Sequence, residues 1–307
     1  MAMKRDLLGI KQTSAEDLLA ILSHAKEMKQ IVLSQRKRIP NLSGRTVVTL
    51  FYENSTRTRL SFELASKYMG ANAANITASG SSVAKGESLT DTAETIDRMG
   101  TDILIMRHSM SGAPNLIAPL VKASVVNAGD GMNEHPTQAL LDAFTILEKK
   151  GKIEGLKVAI IGDIYHSRVA RSNIYLLTRL GAEVSVGGPA TLLPVGLEQL
   201  GVKVFKSVHE ALVDADVVMC LRIQLERQKS GLFPSVREYN RFFGLDEGRL
   251  RFAKPDAIVM HPGPVNRGVE MSTAVIDGAA SVIDEQVTNG VAVRMSVMDW
   301  LIGGLEK

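Results

Sequence analysis

Between residues 53 and 59 the chain reads Glu53-Asn54-Ser55-Thr56-Arg57-Thr58-Arg59, which gathers three hydroxyls and two guanidinium groups in one short stretch. Hydroxyls cap a helix start and donate to phosphate oxygens, and arginine binds phosphate as a planar fork. An N-cap flanked by two solvated arginines would use the same residue types. The stretch follows the apolar, β-branched run TVVTLFY, however, and that favours a phosphate cradle. A helix that begins beyond the carboxyl end of a buried strand points unpaired N–H groups and a partial positive charge at whatever binds there. Two further segments supply donors of the same kind. DILIMR ends in Arg107-His108, and SVVNAGD leads to Asn133-Glu134-His135-Pro136-Thr137-Gln138. Pro136 suits a first helical turn, and His135 and Gln138 are spaced to face one ligand from it.

The second half offers GDIYHSRVARSN after an apolar run, with Arg168 one turn into the helix that follows. Only Gly162 stands where a dinucleotide fingerprint needs three glycines, so pyrophosphate could not approach the backbone and a nicotinamide cofactor is disfavoured. DVVMCLR supplies Arg222, followed by Gln224, Glu226 and Arg227. Two arginines at neighbouring strand ends suit a ligand with carboxylates, each charge-assisted hydrogen bond contributing roughly 1.5 to 3 kcal/mol. A last apolar run ends in His261-Pro262-Gly263-Pro264, a stiff turn whose exposed carbonyls could accept from an NH2 group.

The elements that must carry these groups are legible as alternating patterns. Ala15 to Ile31 repeats its apolar residues at helical spacing. From Arg45, β-branched runs alternate with helical stretches: TVVTLFY, a helix beginning near Ser55, ANAANIT, a helix near Asp91 to Met99, DILIMR, SVVNAGD, and a helix from Pro136 to Lys150. The polar stretch from Lys149 to Gly155 reads as a junction, after which KVAIIGD, AEVSVGG, VKVFK, DVVMCLR and DAIVMHP restart the pattern. The order predicts an α/β protein of two doubly wound parallel-sheet domains. The expected division is residues 1–135, a linking helix 136–150 and a second domain 151–290, with a C-terminal helix at about 291–307 returning to the first domain. The segments 79–88, SGSSVAKGES, and 226–239, ERQKSGLFPSVREY, read as mobile surface loops.

With 307 residues, 45% hydrophobic and 22% charged, the composition is that of an ordinary globular chain of about two domains. The single cysteine, Cys220, excludes a disulfide framework and multi-thiolate metal sites, and fits a reducing compartment. The N-terminus lacks the apolar core of a signal peptide and no stretch is long enough for a membrane span, so no membrane partner is expected. A formal charge of +3, with neither a basic stripe nor interleaved aromatics, does not specify nucleic acid.

FYENSTRTRLSFE, MRHS, NEHPTQALLD and HPGPVNRG together resemble the carbamoyltransferase family, and the likeness covers nearly the whole chain. S-T-R-T-R together with H-P-T-Q is specific to it. Lys85 within K-G-E, R-x-Q-x-E-R from Arg222 to Arg227, and H-P-G-P in place of the H-C-L-P turn of ornithine-type enzymes point to its aspartate branch. The resemblance implies transfer of the carbamoyl group of carbamoyl phosphate to L-aspartate, an early step of pyrimidine biosynthesis, in a cytoplasmic homotrimer that uses neither cofactor nor metal. It implies that Ser55, Thr56, Arg57 and Thr58 hold the phosphate, joined by Arg107 and by Ser81 and Lys85 from a neighbouring subunit. Thr58, Arg107 and His135 would polarise the carbamoyl carbonyl, while Gln138 and the carbonyls of Gly263 and Pro264 hold its NH2. Arg168, Arg222, Gln224 and the shared Lys85 would take the carboxylates of aspartate, and Glu53, Glu226 and Arg227 would serve closure of the lobes. Whether trimers associate with a regulatory chain or a dihydroorotase-like partner stays open. Another amine acceptor such as ornithine would want acidic partners in place of Arg168, Arg222 and Lys85. A module that binds the ligand without catalysis would need a lost polarising donor, and none is missing.

Overall fold

A computed structural model describes residues 4–77, 87–224 and 235–306. The chain divides into one compact unit of residues 1–141 and 288–307 and a second of 142–287. Both divisions fall inside helices, Pro136–Lys150 and Ile283–Leu301.

The first unit is built on a parallel sheet of β1 (Thr46–Phe51), β2 (Asn72–Thr77), β3 (Ile103–His108) and β4 (Ser124–Asp130), in the order β2-β1-β3-β4. Parallel strands covered on both faces read as continuous apolar runs, and β1 and β3 are buried along nearly their whole length. Val48, Leu50, Leu104, Met106 and Val125 pack against Ala93, Ile96 and Ile117 of the flanking helices. The polar run of β2 fits its place at the sheet edge, where it is largely exposed. At the other edge the N-terminal segment lies along β4: the Leu7 amide donates to Val125 O and its carbonyl accepts from Asn127, each at 2.9 Å.

The second unit carries β5 (Lys157–Ile161), β6 (Glu183–Gly187), β7 (Lys203–Phe205), β8 (Val217–Cys220) and β9 (Ile258–Met260), all parallel, in the order β7-β6-β5-β8-β9. Its core joins Ile161, Val218, Cys220 and Val259 to Val208, Leu212 and Val275. Cys220 is buried in this core, and burial pushes its thiol well above its usual range, which keeps it neutral among its apolar neighbours.

Each predicted strand is present, and the two-domain parallel α/β architecture with a C-terminal helix is observed. Two expectations need correction. The last helix begins at Ile283, eight residues before the expected Val291. Its polar first turns mix exposed and buried residues: Asp284 is exposed, but Gln286 is buried and bonded on both sides of its amide, which no periodicity reveals. The helix stops at Leu301, and the left-handed Gly303, at φ 76°, turns the chain out of it. The expected loop 226–239 turns helical at its end, because Ser235 caps a helix Val236–Phe243 that buries Tyr239.

Gly162 has a local structural role in place of the absent dinucleotide fingerprint. Its φ of 122° is closed to other residues, and a Cβ there would stand 2.9 Å from the backbone oxygen of Leu221. Gly162→Ala should therefore destabilise the protein by roughly 2 to 4 kcal/mol. A urea midpoint equal to wild type would refute this account of the turn.

Candidate active site

In each sheet the winding reverses at one strand, and ligands of open α/β sheets bind beyond the carboxyl ends at such a reversal. In the first unit it falls between β1 and β3, in the second between β5 and β8.

Immediately after β1 the helix Thr56–Tyr68 begins with Ser55 as its N-cap. Ser14, Ser88, Ser167, Ser207, Ser235 and Ser272 occupy the same position in other helices, and each accepts from the amide three residues on. Ser55 makes no such bond. A missing cap costs a helix about 1 kcal/mol, and the start of this helix, with Thr56, Arg57 and Thr58 in its first turn, carries the partial positive charge that suits an anion. Phe51 and Arg107 are register partners on β1 and β3, so Arg107 lies alongside this helix start. The register of β3 on β4 shifts between Met106 and His108, a bulge of the kind that re-aims side chains. The Arg107 guanidinium donates to Ala128 O at 3.3 Å, and its Nε lies 3.3 Å from the carboxylate of Glu53. Glu53, expected from the resemblance to serve closure of the lobes, thus pairs within its own unit.

Beyond β4, the loop to the helix Pro136–Lys150 is organised by two carboxylates whose role sequence reasoning missed. Buried Asp130 accepts from the amides of Gly112 at 2.6 Å and Glu134 at 3.0 Å, and from the side-chain amides of Asn127 and Asn133 at 2.8 and 3.0 Å. Glu134, also buried, accepts from the Ile10 amide at 2.8 Å and thereby ties the N-terminal segment to the residue before His135. His135, Thr137 and Gln138 are all buried in the first turn that follows, and the His135 carbonyl accepts from the Gln138 amide at 3.0 Å. Arg294 was missed as well. It is buried on the C-terminal helix, donates to Ser61 Oγ at 2.9 Å and stacks 5.0 Å from the centre of the Phe62 ring. It thereby holds the helix that carries Thr56, Arg57 and Thr58. Its only signal in the sequence is one arginine inside the apolar run VAVRMSVM.

In the second unit Arg168 opens the helix Arg168–Arg179 and is almost fully buried. Arg222 and Gln224 follow β8, the neighbour of β5, so the two arginines stand at adjacent strand ends. Buried Asp163 joins the two segments: it faces His166 Nδ1 at 3.0 Å and accepts the amides of His166 at 3.1 Å and Gln224 at 3.3 Å. The turn His261-Pro262-Gly263-Pro264 follows β9, with a cis bond between Gly263 and Pro264. The carboxyl edge of each sheet thus collects its own predicted residues: Glu53, Ser55, Thr56, Arg57, Thr58, Arg107, His135 and Gln138 in the first unit, and Arg168, Arg222, Gln224, Gly263 and Pro264 in the second. Ser81, Lys85, Glu226 and Arg227 lie outside the described residues. Among the described residues, no cluster of three or more His, Cys, Asp or Glu side chains could hold a metal ion, and no helix is long and apolar enough to cross a membrane.

Residues 5–148 match the family described as aspartate/ornithine carbamoyltransferase, carbamoyl-P binding domain, and residues 154–301 match its Asp/Orn binding domain. An aspartate carbamoyltransferase catalytic subunit from Acetivibrio thermocellus is 70% identical over 96% of this chain and 94% of its own length. One from Pelotomaculum thermopropionicum is 61% identical over 98% and 97%. Among solved structures, aspartate transcarbamoylase from Trypanosoma cruzi in complex with carbamoyl aspartate and phosphate is 32% identical with a TM-score of 0.86, covering 96% of this chain and 95% of that one. An ornithine carbamoyltransferase from Pyrococcus furiosus is 31% identical with a TM-score of 0.87, covering 98% of each.

His108, beside Glu53 and Arg107, gives a pH test. Burial lowers its pKa below the usual 6.5, against the pull of Glu53 and Asp130, and its Nδ1 accepts the Met110 amide at 2.9 Å, a bond that needs that nitrogen unprotonated. A depressed histidine contributes stability that is fully present above the unfolded value and is lost as pH falls through the folded one. Unfolding midpoints should therefore fall from pH 7 to pH 5 more steeply in wild type than in His108→Asn, and equal slopes would count against this role.

Proposed function

The chain belongs to the aspartate/ornithine carbamoyltransferase family, and from that premise we propose how its residues divide the work of one reaction. The carbamoyl group of carbamoyl phosphate passes to the amine of L-aspartate, giving N-carbamoyl-L-aspartate and phosphate. The amine nitrogen attacks the carbamoyl carbon, the bond from that carbon to the phosphate oxygen breaks, and the departing phosphate takes the amine proton. Negative charge builds on the carbonyl oxygen and on the leaving phosphate, so the protein must supply oriented donors and not a strong nucleophile.

The uncapped turn at Ser55, Thr56, Arg57 and Thr58 receives the phosphate, joined by Arg107. Thr58, Arg107 and His135 polarise the carbonyl oxygen, and Gln138 with the carbonyls of Gly263 and Pro264 holds the NH2. Arg168, Arg222 and Gln224 take the carboxylates of aspartate, together with Lys85 from a neighbouring subunit of a cytoplasmic homotrimer, which also lends Ser81 to the phosphate. Glu53, Glu226 and Arg227 serve closure over the substrates. Holding two anions side by side adds an orientation term that water lacks.

The observation that carries the choice of acceptor is the pair of arginines, Arg168 and Arg222, at the ends of adjacent strands. Fold alone does not discriminate, since the ornithine and aspartate enzymes match this chain equally well in shape. A cationic amine acceptor would need carboxylates there, and Asp163 is engaged by His166 and by the amide of Gln224.

Purified protein given carbamoyl phosphate should carbamoylate L-aspartate and leave L-ornithine untouched; the reverse preference would overturn the assignment. Arg57→Ala should lower kcat by ~10²- to 10³-fold while weakening aspartate binding far less, and normal turnover would remove Arg57 from the mechanism. The shared site has its own check. Inactive Lys85→Ala chains mixed with inactive Arg57→Ala chains should recover activity, and no recovery under verified subunit exchange would argue for self-contained sites.

A further inference from the structure

The second unit contains a buried run of polar side chains that has no part in the chemistry above. Asp142, fully buried in the helix Pro136–Lys150, accepts from Asn173 Nδ2 on one carboxylate oxygen at 2.8 Å and from Gln286 Nε2 on the other at 2.7 Å. Gln286 in turn accepts the backbone N–H of His261 at 2.9 Å, and His261 Nδ1 accepts the N–H of Gly263 at 2.8 Å. Accepting at Nδ1 places the ring proton on Nε2. That nitrogen faces Glu270 Oε1 at 3.3 Å, and the same oxygen accepts the Asn266 amide at 2.6 Å. The run therefore begins in the helix that Arg168 opens and ends in the turn that holds Gly263 and Pro264.

A carboxylate this deep is costly, and an apolar side chain would fill the space more cheaply if filling were all it did. What a leucine could not do is select two donors at once, from two different elements, at fixed angles. Asn173 Nδ2 also donates to Val169 O at 3.1 Å, so Asp142 grips the first turns of the Arg168 helix. Gln286 is an amide used in both directions, and it transmits the grip to the amide that starts the His261 turn.

We propose that Asp142 is a positioning residue for the reaction: through Asn173 and Gln286, one buried carboxylate keys the helix carrying Arg168 to the turn carrying Pro264. The kinetic part of the inference rests on the carbamoyl transfer proposed above. Asp142→Asn keeps the shape but turns an NH2 group toward one of the two donors, so one of the two grips is lost. Asp142→Asn combined with Gln286→Glu restores these three bonds, with the polarity reversed only in the one between residues 142 and 286. The new amide donates to the new carboxylate, whose other oxygen still accepts the His261 amide, and the amide oxygen still accepts from Asn173.

The test pairs amide hydrogen exchange over residues 258–266 with steady-state kinetics, below the unfolding transition of every variant. In Asp142→Asn, exchange at His261 and Gly263 should quicken, kcat/KM for aspartate should fall roughly 10- to 100-fold, and inhibition by inorganic phosphate, held by the first unit, should stay within about threefold. The double variant should recover most of both losses. Unchanged exchange in Asp142→Asn would overturn the proposal, as would quickened exchange with wild-type kcat and KM, which would leave Asp142 a purely structural residue. A wild-type protein unable to carbamoylate aspartate would defeat the proposed reaction, while the exchange measurement would still decide whether Asp142 orders the turn.

Discussion

A parallel strand cannot be reached by a hairpin, so every strand here is entered through a crossover and every carboxyl end points the same way within its sheet. That constraint gathers the functional groups of each unit. Where winding reverses, at β1 in one sheet and β5 in the other, successive crossovers leave on opposite faces, and the gap between them is lined by helix starts and strand ends. Side chains far apart in sequence, such as Arg57 and His135 or Arg168 and Arg222, are carried to the same edge of their sheet because each follows the carboxyl end of a parallel strand.

A helix start without a side-chain cap differs from the other serine-led helix starts of the described residues. Serine after serine caps its helix, and among the described residues Ser55 is the N-cap serine whose hydroxyl makes no such bond. The surrounding structure is correspondingly over-determined. Asp130, Glu134 and Arg294 in the first unit, and Asp163 and Asp142 in the second, are buried ionic groups whose bonds fix loops, helix ends and neighbouring polar side chains. A charge without a partner is costly in such surroundings, so each of these groups stands where several donors or acceptors converge.

This division explains what the sequence could tell. Apart from the polar β2, the described strands announce themselves through β-branched runs, and the candidate anion-binding residues through the density of Ser, Thr and Arg after those runs. The supporting residues have no such signature. Asp142 in ALLDAFTIL and Gln286 in IDEQVTNG are single polar letters, and whether each faces water or a buried amide depends on contacts across the unit. The same ambiguity concealed the first two turns of the last helix, whose polar residues resemble a solvated linker until Gln286 is seen between His261 and Asp142. Ser235 and Tyr239 were likewise hidden by the charged and proline-bearing residues around them.

The contact between Glu134 and the backbone at Ile10 reaches past the chemistry. Leu7 lends β4 two ladder bonds, Asp6 accepts the amide of Val125, and Asn127 reaches the carbonyl of Leu8. Residues before the first helix are therefore a strut for the loop that presents His135 and a cover for an otherwise bare sheet edge. An expression boundary drawn at Ala15 would discard both, leaving a sticky flank and a histidine with a slackened mooring.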